Sequence, residues 1–228
     1  MNIGLFLAGS IASFVGLTFF FLMGFLSFFR KRVKKPRYDF LTDFPFELYD
    51  GISQTSILSR LGFMVYQLAF IVIAFSAFSI NIIPGLNAYV IFLLVLFFIK
   101  GTTFVFLLFV PASNERVHMA FALSSFILEA TCSFVIGLVY FQFTNDSYAI
   151  FGWVFSIISW VLTAINLSLV LNPRLSSWAK MNVVEDMDGA HLEKPRPFIL
   201  AFSEWIAILS DFLLLVLLIV SLGFALAL

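Results

Sequence analysis

Six long apolar segments constrain this chain more than any other feature of its sequence. A helix needs about 20 mostly apolar residues to cross a hydrocarbon core of about 30 Å. The segments that meet this requirement cover residues 3–29, 61–80, 88–110, 117–141, 149–171 and 198–228. Each is predicted to be helical, because backbone polar groups find no water in lipid. The predicted fold is therefore all-α, a single polytopic bundle of six transmembrane helices over residues 1–228.

Composition excludes a soluble globular domain. Of the 228 residues, 62% are hydrophobic and 11% are charged, whereas soluble domains carry roughly a quarter charged residues. The 13 basic and 13 acidic residues balance, so no net field attracts nucleic acid. The single cysteine, Cys132, excludes an intrachain disulfide and a thiolate metal cluster. The lipid bilayer is thus the predicted partner, and nucleic acid is not.

The distribution of lysine and arginine predicts the orientation of the bundle. All of these residues except Lys100, which lies inside a helix, fall in the first, third and fifth connections between segments. The second and fourth connections contain neither. Because basic residues favour cytoplasmic loops, we expect both termini on the extracytoplasmic side. The expected location is a membrane, which would be the cytoplasmic membrane in a prokaryote.

Residues 30–60 form a basic and aromatic connection that is predicted to be cytoplasmic. A basic run opens it, and an alternation of aromatic and acidic residues follows, which we expect to lie along the membrane interface. The basic run can contact anionic lipid headgroups, although it serves equally as the signal that orients the first helix. Its members are Arg30, Lys31, Arg32, Lys34, Lys35 and Arg37.

Residues 172–197 form the other long cytoplasmic connection, and Asp188-Gly189 within it predicts a β-hairpin. The acidic residues around this turn do not make a calcium loop of the EF-hand type, because the glycine falls at the wrong position. No spacing typical of a nucleotide site, a metal site or a catalytic group occurs elsewhere. The sequence therefore predicts no metal and no cofactor.

Three ionisable residues, Lys100, Glu129 and Asp211, lie deep in predicted helices. A charge at the centre of a membrane helix costs about 2.5–3.5 kcal/mol on insertion scales, so such residues are expected to face protein or water and to have partners. In the hairpin of the third and fourth helices, Lys100 and Glu129 fall at matching depth. This predicts an ion pair between them, within an intramembrane charged cluster of all three residues.

Other polar residues lie at helical spacing from the charged cluster. The fourth helix carries several on the face of Glu129, and Glu204 precedes Asp211 by seven residues, so both project the same way. His118 is about 16 Å along the axis from Glu129, which makes a direct proton transfer between them a weak hypothesis. The secondary candidates are His118, Ser125, Ser133, Asn166 and Glu204.

Small and hydroxyl residues in membrane helices also have an ordinary explanation. Gly9, Ser13 and Gly16 lie along the first helix and predict the close approach of a neighbouring helix. Helix contacts in lipid use such residues, so the hydroxyl groups of the secondary candidates serve packing as readily as function. The charged cluster is open to both interpretations. Charges inside a membrane commonly mark a functional site, whereas a matched ion pair can be structural.

Three classes of function remain. The first is a small transporter- or channel-like protein in which the charged cluster lines an ion or solute path. The second is a non-catalytic subunit or scaffold of a membrane complex, which presents its cytoplasmic loops to a partner. The third is an intramembrane enzyme, which needs a nucleophile with a base, or a metal, and the sequence shows neither. We expect a homo-oligomer or a subunit of a larger complex, and solvent access to Glu129 separates the first class from the second.

Overall fold

A computed structural model describes residues 3–31, 38–49, 54–78, 87–110, 114–142, 149–172, 182–186, 189–193 and 196–227. These residues form six α-helices, one short 3-10 helix and one two-stranded hairpin. The α-helices are α1 (Ile3–Lys31), α2 (Gln54–Phe78), α3 (Asn87–Leu107), α4 (Glu115–Phe141), α5 (Ala149–Leu171) and α6 (Ile199–Ala227). The predicted all-α bundle of six helices is confirmed.

Within the described residues, five of the six helices are long and apolar enough to cross a membrane. These are α1, α2, α4, α5 and α6. In α3 the apolar stretch is shorter, Ile91–Leu107. The whole helix of 21 residues nevertheless extends about 31 Å at 1.5 Å per residue, which matches the thickness of a hydrocarbon core. The protein is an integral, multi-pass membrane protein.

The start of α2 differs from the prediction. The helix begins at Gln54 and not at residue 61, so residues 54–60 belong to α2 and not to the first connection. The polar residues of this extra stretch escape a hydropathy search, yet they are accommodated inside the bundle. Ser59, for example, is buried and donates a hydrogen bond to the Phe20 carbonyl oxygen at 2.7 Å. That contact joins the beginning of α2 to α1.

The ends of α3 and α4 that face each other also differ from the prediction. α3 ends at Leu107 and not at residue 110. Residues 108–110 continue as a tight turn, in which the Phe109 N–H donates to the Phe106 carbonyl oxygen at 2.9 Å. A proline follows at position 111, and proline disfavours the helical conformation in the residue before it. α4 begins at Glu115 and not at residue 117.

Two pairs of helices approach each other at glycines. Where α1 meets α2, a Cβ added to either Gly16 or Gly62 would lie 2.6 Å from the carbonyl oxygen of the other glycine. Such a separation is possible only without side chains, and it is the close approach that the small residues of the first helix predict. Where α4 meets α5, a Cβ on Gly137 would collide with the Trp160 indole ring. Ser156 of α5 donates a hydrogen bond to the Gly137 carbonyl oxygen at 3.0 Å.

Residues 38–49, which we call the cap segment, fold back against the end of the bundle where α4 and α6 begin. Phe44 and Leu48 are buried, and the 3-10 helix Pro45–Tyr49 packs against α1 and α2. This stretch was expected to lie along the membrane interface. Its aromatic rings contact aromatic rings of the helices, including Trp205 of α6, so it packs on the end of the bundle, and its position at the membrane interface stays a prediction.

A hairpin is present where Asp188-Gly189 predicts one, although Gly189 is the first residue of its second strand and pairs with Asp186. Strands β1 (Asn182–Asp186) and β2 (Gly189–Glu193) pair antiparallel, with Asn182 opposite Glu193. Asp188 itself lies outside the described residues. The basic run of the first connection is also outside them from Arg32 onward, as are the side chains of Arg30 and Lys31. Its contact with anionic lipid therefore stays a prediction.

Candidate functional site

Lys100 brings two carboxylates together inside the bundle. Its Nζ lies 3.2 Å from Glu129 Oε2 and forms an ion pair with Asp211 Oδ1 as well. All three side chains are completely buried. The ion pair predicted between Lys100 and Glu129 is present, and Asp211 joins it from α6. The charged cluster thus takes one residue from each of α3, α4 and α6.

The position of each residue along its helix explains why the three meet. Lys100, Glu129 and Asp211 each lie near the middle of their helices. Helices of this length span a hydrocarbon core of about 30 Å, so their midpoints lie at similar depth. The depth argument from the sequence therefore identifies the members of the charged cluster. It does not show which helices are neighbours, and Asp211 had no assigned partner for that reason.

Two phenylalanine rings accompany the Lys100 ammonium group. Nζ lies 3.4 Å from the centroid of the Phe70 ring and 5.4 Å from that of the Phe97 ring. The face of an aromatic ring attracts a cation, an effect worth about 2 kcal/mol or more when the cation is desolvated. Together with two carboxylates, these rings provide a site suited to the charged form of lysine.

The two carboxylates differ in their hydrogen bonds. Asp211 accepts one from Lys100 and a second from Gln67 Nε2 at 2.7 Å. The Glu129 carboxylate lies 3.2 Å from the Lys100 ammonium group, and no other N–H or O–H donor reaches it among the described residues. The Tyr66 hydroxyl group is buried close to both carboxylates. Glu129 is therefore the acceptor with unused capacity.

Gln67 and Tyr66 are residues of the site that the sequence reasoning missed. Both come from α2, to which the sequence analysis assigned no polar contact. Gln67 is a polar side chain within an apolar segment and lies near the middle of α2. The depth argument applied to Lys100 and Glu129 would also have selected Gln67, since a buried amide needs partners as a charge does.

A second ionisable pair, His118 and Glu204, lies beneath the cap segment. His118 Nε2 is 2.8 Å from Glu204 Oε1, and His118 Nδ1 is 3.3 Å from the Val110 carbonyl oxygen. Each of the two side chains is only 3% exposed. Both residues were secondary candidates, but His118 was considered with Glu129 and its pairing with Glu204 was not predicted. Because α4 and α6 both begin at this end of the bundle, the matching depth of the two residues was the available signal.

The remaining secondary candidates have local roles. Ser125 donates a hydrogen bond to the Phe121 carbonyl oxygen of its own helix at 2.8 Å. Asn166 donates one to Ser210 Oγ at 2.8 Å, which joins α5 to α6. Both contacts are typical of helix packing in lipid. Ser133 is one turn after Glu129 on the same face, and its hydroxyl group has no hydrogen-bond partner among the described residues.

In the described part of the chain, no group of three or more histidine, cysteine, aspartate or glutamate side chains is arranged to hold a metal ion. Within the charged cluster, the Lys100 nitrogen contacts both carboxylates. It therefore occupies the position that a metal ion bound by the two carboxylates would take. The arrangement can bind and release a proton, or it can hold three helices together.

Comparison of the chain with known protein families, curated proteins and solved structures finds no match.

Proposed function

We propose that the protein is a small transporter- or channel-like protein in which the charged cluster binds and releases a proton within the membrane. One observation carries this proposal. Three fully buried ionisable groups, one basic and two acidic, are in contact, and Lys100 is the one donor that reaches the Glu129 carboxylate among the described residues. When all three are ionised, the cluster has a net charge of minus one.

A net charge in this environment is unstable. Removing an ion from water costs several kcal/mol even after the surroundings relax, and a single lysine compensates only one carboxylate. A proton on Glu129 removes the excess charge and leaves one neutral carboxyl group beside one ion pair. Glu129 is the better carrier, because Asp211 accepts hydrogen bonds from both Lys100 and Gln67. A metal cation is a poorer substrate, since the ammonium group already lies between the carboxylates.

Complete burial of Glu129 favours a second candidate function. The charged cluster is closed to both sides of the membrane, and a cluster that only joins α3, α4 and α6 needs no more than this. The protein would then be a non-catalytic subunit or scaffold of a membrane complex. The transport proposal interprets the same burial as an occluded form, which opens to one side at a time.

Proton flux separates the two candidates. Purified protein in liposomes is given a membrane potential, and a trapped pH-sensitive dye reports proton movement. We expect flux through the unmodified protein and its loss in Glu129→Gln, which keeps the shape of the side chain and removes the titratable group. Ser125→Ala, on the same face of the same helix, is the matched control and should retain flux. A folded Glu129→Gln protein with full flux, or an inactive unmodified protein, would favour the scaffold.

We propose the same orientation for either function, with both termini extracytoplasmic and the hairpin in the cytoplasm. The support is that every lysine and arginine except Lys100 lies within the first or fifth connection or in the helix turns that adjoin the first, third and fifth connections. In a Cys132→Ala background, a cysteine at Val183 of the hairpin should resist an impermeant thiol reagent in intact cells. A cysteine at Asn145 should react, and the reverse pattern would invert the orientation. Contact with anionic lipid headgroups and assembly into a homo-oligomer or a larger complex belong to the same proposal.

A further inference from the structure

We propose that His118 and Glu204 form a second proton-binding site, which is sealed by the cap segment and exchanges protons with the charged cluster. This inference rests on the proposed function, because it requires the charged cluster to accept a proton. It adds the group that supplies that proton and the end of the bundle from which it comes.

The contacts of His118 define the proton-binding site. Val110 offers only a carbonyl acceptor, so Nδ1 at 3.3 Å is the ring nitrogen that donates to it. A neutral ring then has a lone pair on Nε2, which faces Glu204 Oε1 at 2.8 Å. Two acceptors at this distance require a proton between them. Whether it resides on the ring or on the carboxyl group, the pair is neutral overall, and losing this proton leaves a buried negative charge.

Other ionisable groups occur on the elements around this pair. The cap segment contributes Asp43 and Glu47, and α2 contributes Arg60. Asp43 Oδ2 accepts the backbone N–H of Asp39 at 3.0 Å. The Arg60 guanidinium group lies 5.3 Å from the centroid of the Phe109 ring. These groups set the local field, so they are left unchanged in the variants that test the pair.

Helix α6 connects the pair to the charged cluster. Glu204 and Asp211 are seven residues apart, which places them about 10.5 Å apart along the axis and on nearly the same face. A cavity of about 20 Å³ touches Glu204, Ala207 and Ile208, and apolar side chains line most of its remaining wall. Its volume suits roughly one water molecule. One water does not bridge the two sites, so a proton crosses only when more water enters.

The cap segment closes the opposite side of the pair. The Phe44 ring meets the His118 ring edge to face, with centroids 5.8 Å apart, and packs against the Phe198 ring at 5.1 Å. Two hydrogen bonds fasten the segment to the region around α6. The Leu41 carbonyl oxygen accepts the Phe198 N–H at 2.7 Å, and the Asp43 carbonyl oxygen accepts Trp205 Nε1–H at 3.0 Å.

The transfer step is balanced. The proton between His118 Nε2 and Glu204 Oε1 passes through water to the Glu129 carboxylate. The charged cluster becomes neutral, and the pair acquires a charge of minus one. Displacement of the cap segment then admits water, from which a proton restores the pair. No oxidant, reductant or covalent intermediate takes part.

The first measurement concerns protonation and does not require transport. The full chain carries ¹⁵N-labelled histidine in a His191→Gln background, so that His118 is the only histidine. We expect its ring signals to stay unchanged between about pH 5 and 8, although a free histidine titrates in this range, because gaining or losing a proton would leave a net charge on a buried pair. In Phe44→Ala the ring should follow the bulk pH. A ring that titrates with the cap segment intact, or is equally insensitive in Phe44→Ala, overturns the inference.

The second measurement is proton flux in liposomes. His118→Gln and Glu204→Gln keep a hydrogen bond but cannot pass the proton, and each should lower flux at least about tenfold. Ser125→Ala is again the control, and gel filtration verifies that each variant is folded. If Glu129→Gln abolishes flux while both other glutamine variants retain it, this inference fails and the proposed function stands. If the unmodified protein carries no protons, the proposed function fails, and the exchange between sites fails with it.

Discussion

The charged cluster and the His118–Glu204 pair lie on the same face of α6, and both are closed to solvent. In the charged cluster, one ammonium group faces two carboxylates, so ionisation of all three leaves a negative charge. In the pair, one imidazole ring faces one carboxylate, and the hydrogen bond between them already contains a proton. One site therefore lacks a proton for neutrality and the other holds one, which is the condition for exchange between them.

The two sites also differ in the parts of the chain that enclose them. Helices surround the charged cluster on every side, and α2 contributes the Gln67 amide. The pair is covered in part by the cap segment, which is fastened by individual hydrogen bonds. A typical hydrogen bond contributes about 0.5–1.5 kcal/mol net, and the buried Phe44 and Leu48 side chains contribute about 1.5–3 kcal/mol each. Detaching the cap segment breaks only these few contacts, whereas solvent reaches the charged cluster only if whole membrane helices part. The pair should therefore exchange with solvent before the charged cluster does.

The largest effect should follow the loss of the cation. Lys100→Met leaves two buried carboxylates without their partner, and breaking a buried ion pair costs about 3–5 kcal/mol. We expect a corresponding loss in the free energy of unfolding, measured in a denaturant titration. Lys100→Met/Asp211→Asn should recover much of this loss, because Glu129 can then be neutral by protonation. Additive losses in the double variant would mean that the two side chains are not coupled.

The next largest effect should be the difference in destabilisation between variants of the two carboxylates in the charged cluster. Asp211→Asn weakens hydrogen bonds from Lys100 and Gln67, and hydrogen bonds to charged groups contribute about 1.5–3 kcal/mol each. Glu129→Gln removes a carboxylate that Lys100 alone contacts, at the longer distance of 3.2 Å, so it should destabilise less. The same unfolding measurement compares them. Equal destabilisation would contradict the assignment of Glu129 as the proton carrier.

A smaller effect should come from loosening the cap segment, and it should be felt at the His118–Glu204 pair but not at the charged cluster. Trp205→Phe keeps an aromatic ring beside the cap segment but removes the hydrogen bond to the Asp43 carbonyl oxygen. We expect a loss of about 0.5–1.5 kcal/mol and faster hydrogen exchange in the cap segment, with no change around Lys100. Trp153→Phe is the matched control, because Trp153 is exposed on α5. Faster exchange at both sites would mean that the cap segment does not act on the pair alone.

The smallest effect should come from the outer edge of the cap segment. Arg196 and Asp39 form an ion pair at 3.3 Å, with the arginine side chain 72% exposed. Exposed ion pairs contribute little, so Arg196→Gln should change the free energy of unfolding by less than about 0.5 kcal/mol. Hydrogen exchange at the cap segment should also be unchanged. Faster exchange would show that this ion pair, and not the buried contacts, keeps the segment closed.

The features predicted from the sequence are those that depend on one dimension, the position along the membrane normal. A fixed rise per residue and a fixed lipid thickness set the depth of each side chain. That was sufficient to pair Lys100 with Glu129 in adjacent helices. The lateral arrangement of helices depends on packing and cannot be read from depth. For this reason Asp211 was predicted to belong to the charged cluster without an assigned partner, and Gln67 was not predicted to belong to it.

The cap segment could not be predicted for a related reason. Its contacts join residues near position 40 to residues near position 200, such as Leu41 to Phe198. No local pattern reports a contact between segments so distant in sequence. The hairpin at Asp188-Gly189 is the opposite case. Its two strands are neighbours in the chain, so a local signal predicted the hairpin to within one residue.

The glycine contacts divide the bundle into units that should move as rigid bodies. Backbones that touch, as at Gly16 and Gly62, have no layer of side chains between them that could repack during sliding. α1 with α2 forms one such unit. α4 and α5 are joined differently, since the Trp160 indole ring fits against Gly137 and Ser156 donates a hydrogen bond to the Gly137 carbonyl oxygen, and we treat them as the second unit. Gln67 belongs to the first and Glu129 to the second, so the charged cluster lies at the boundary between them. Any opening by relative rotation of these two bodies therefore parts the bundle at its proton-binding residues, while the contacts within each body are preserved.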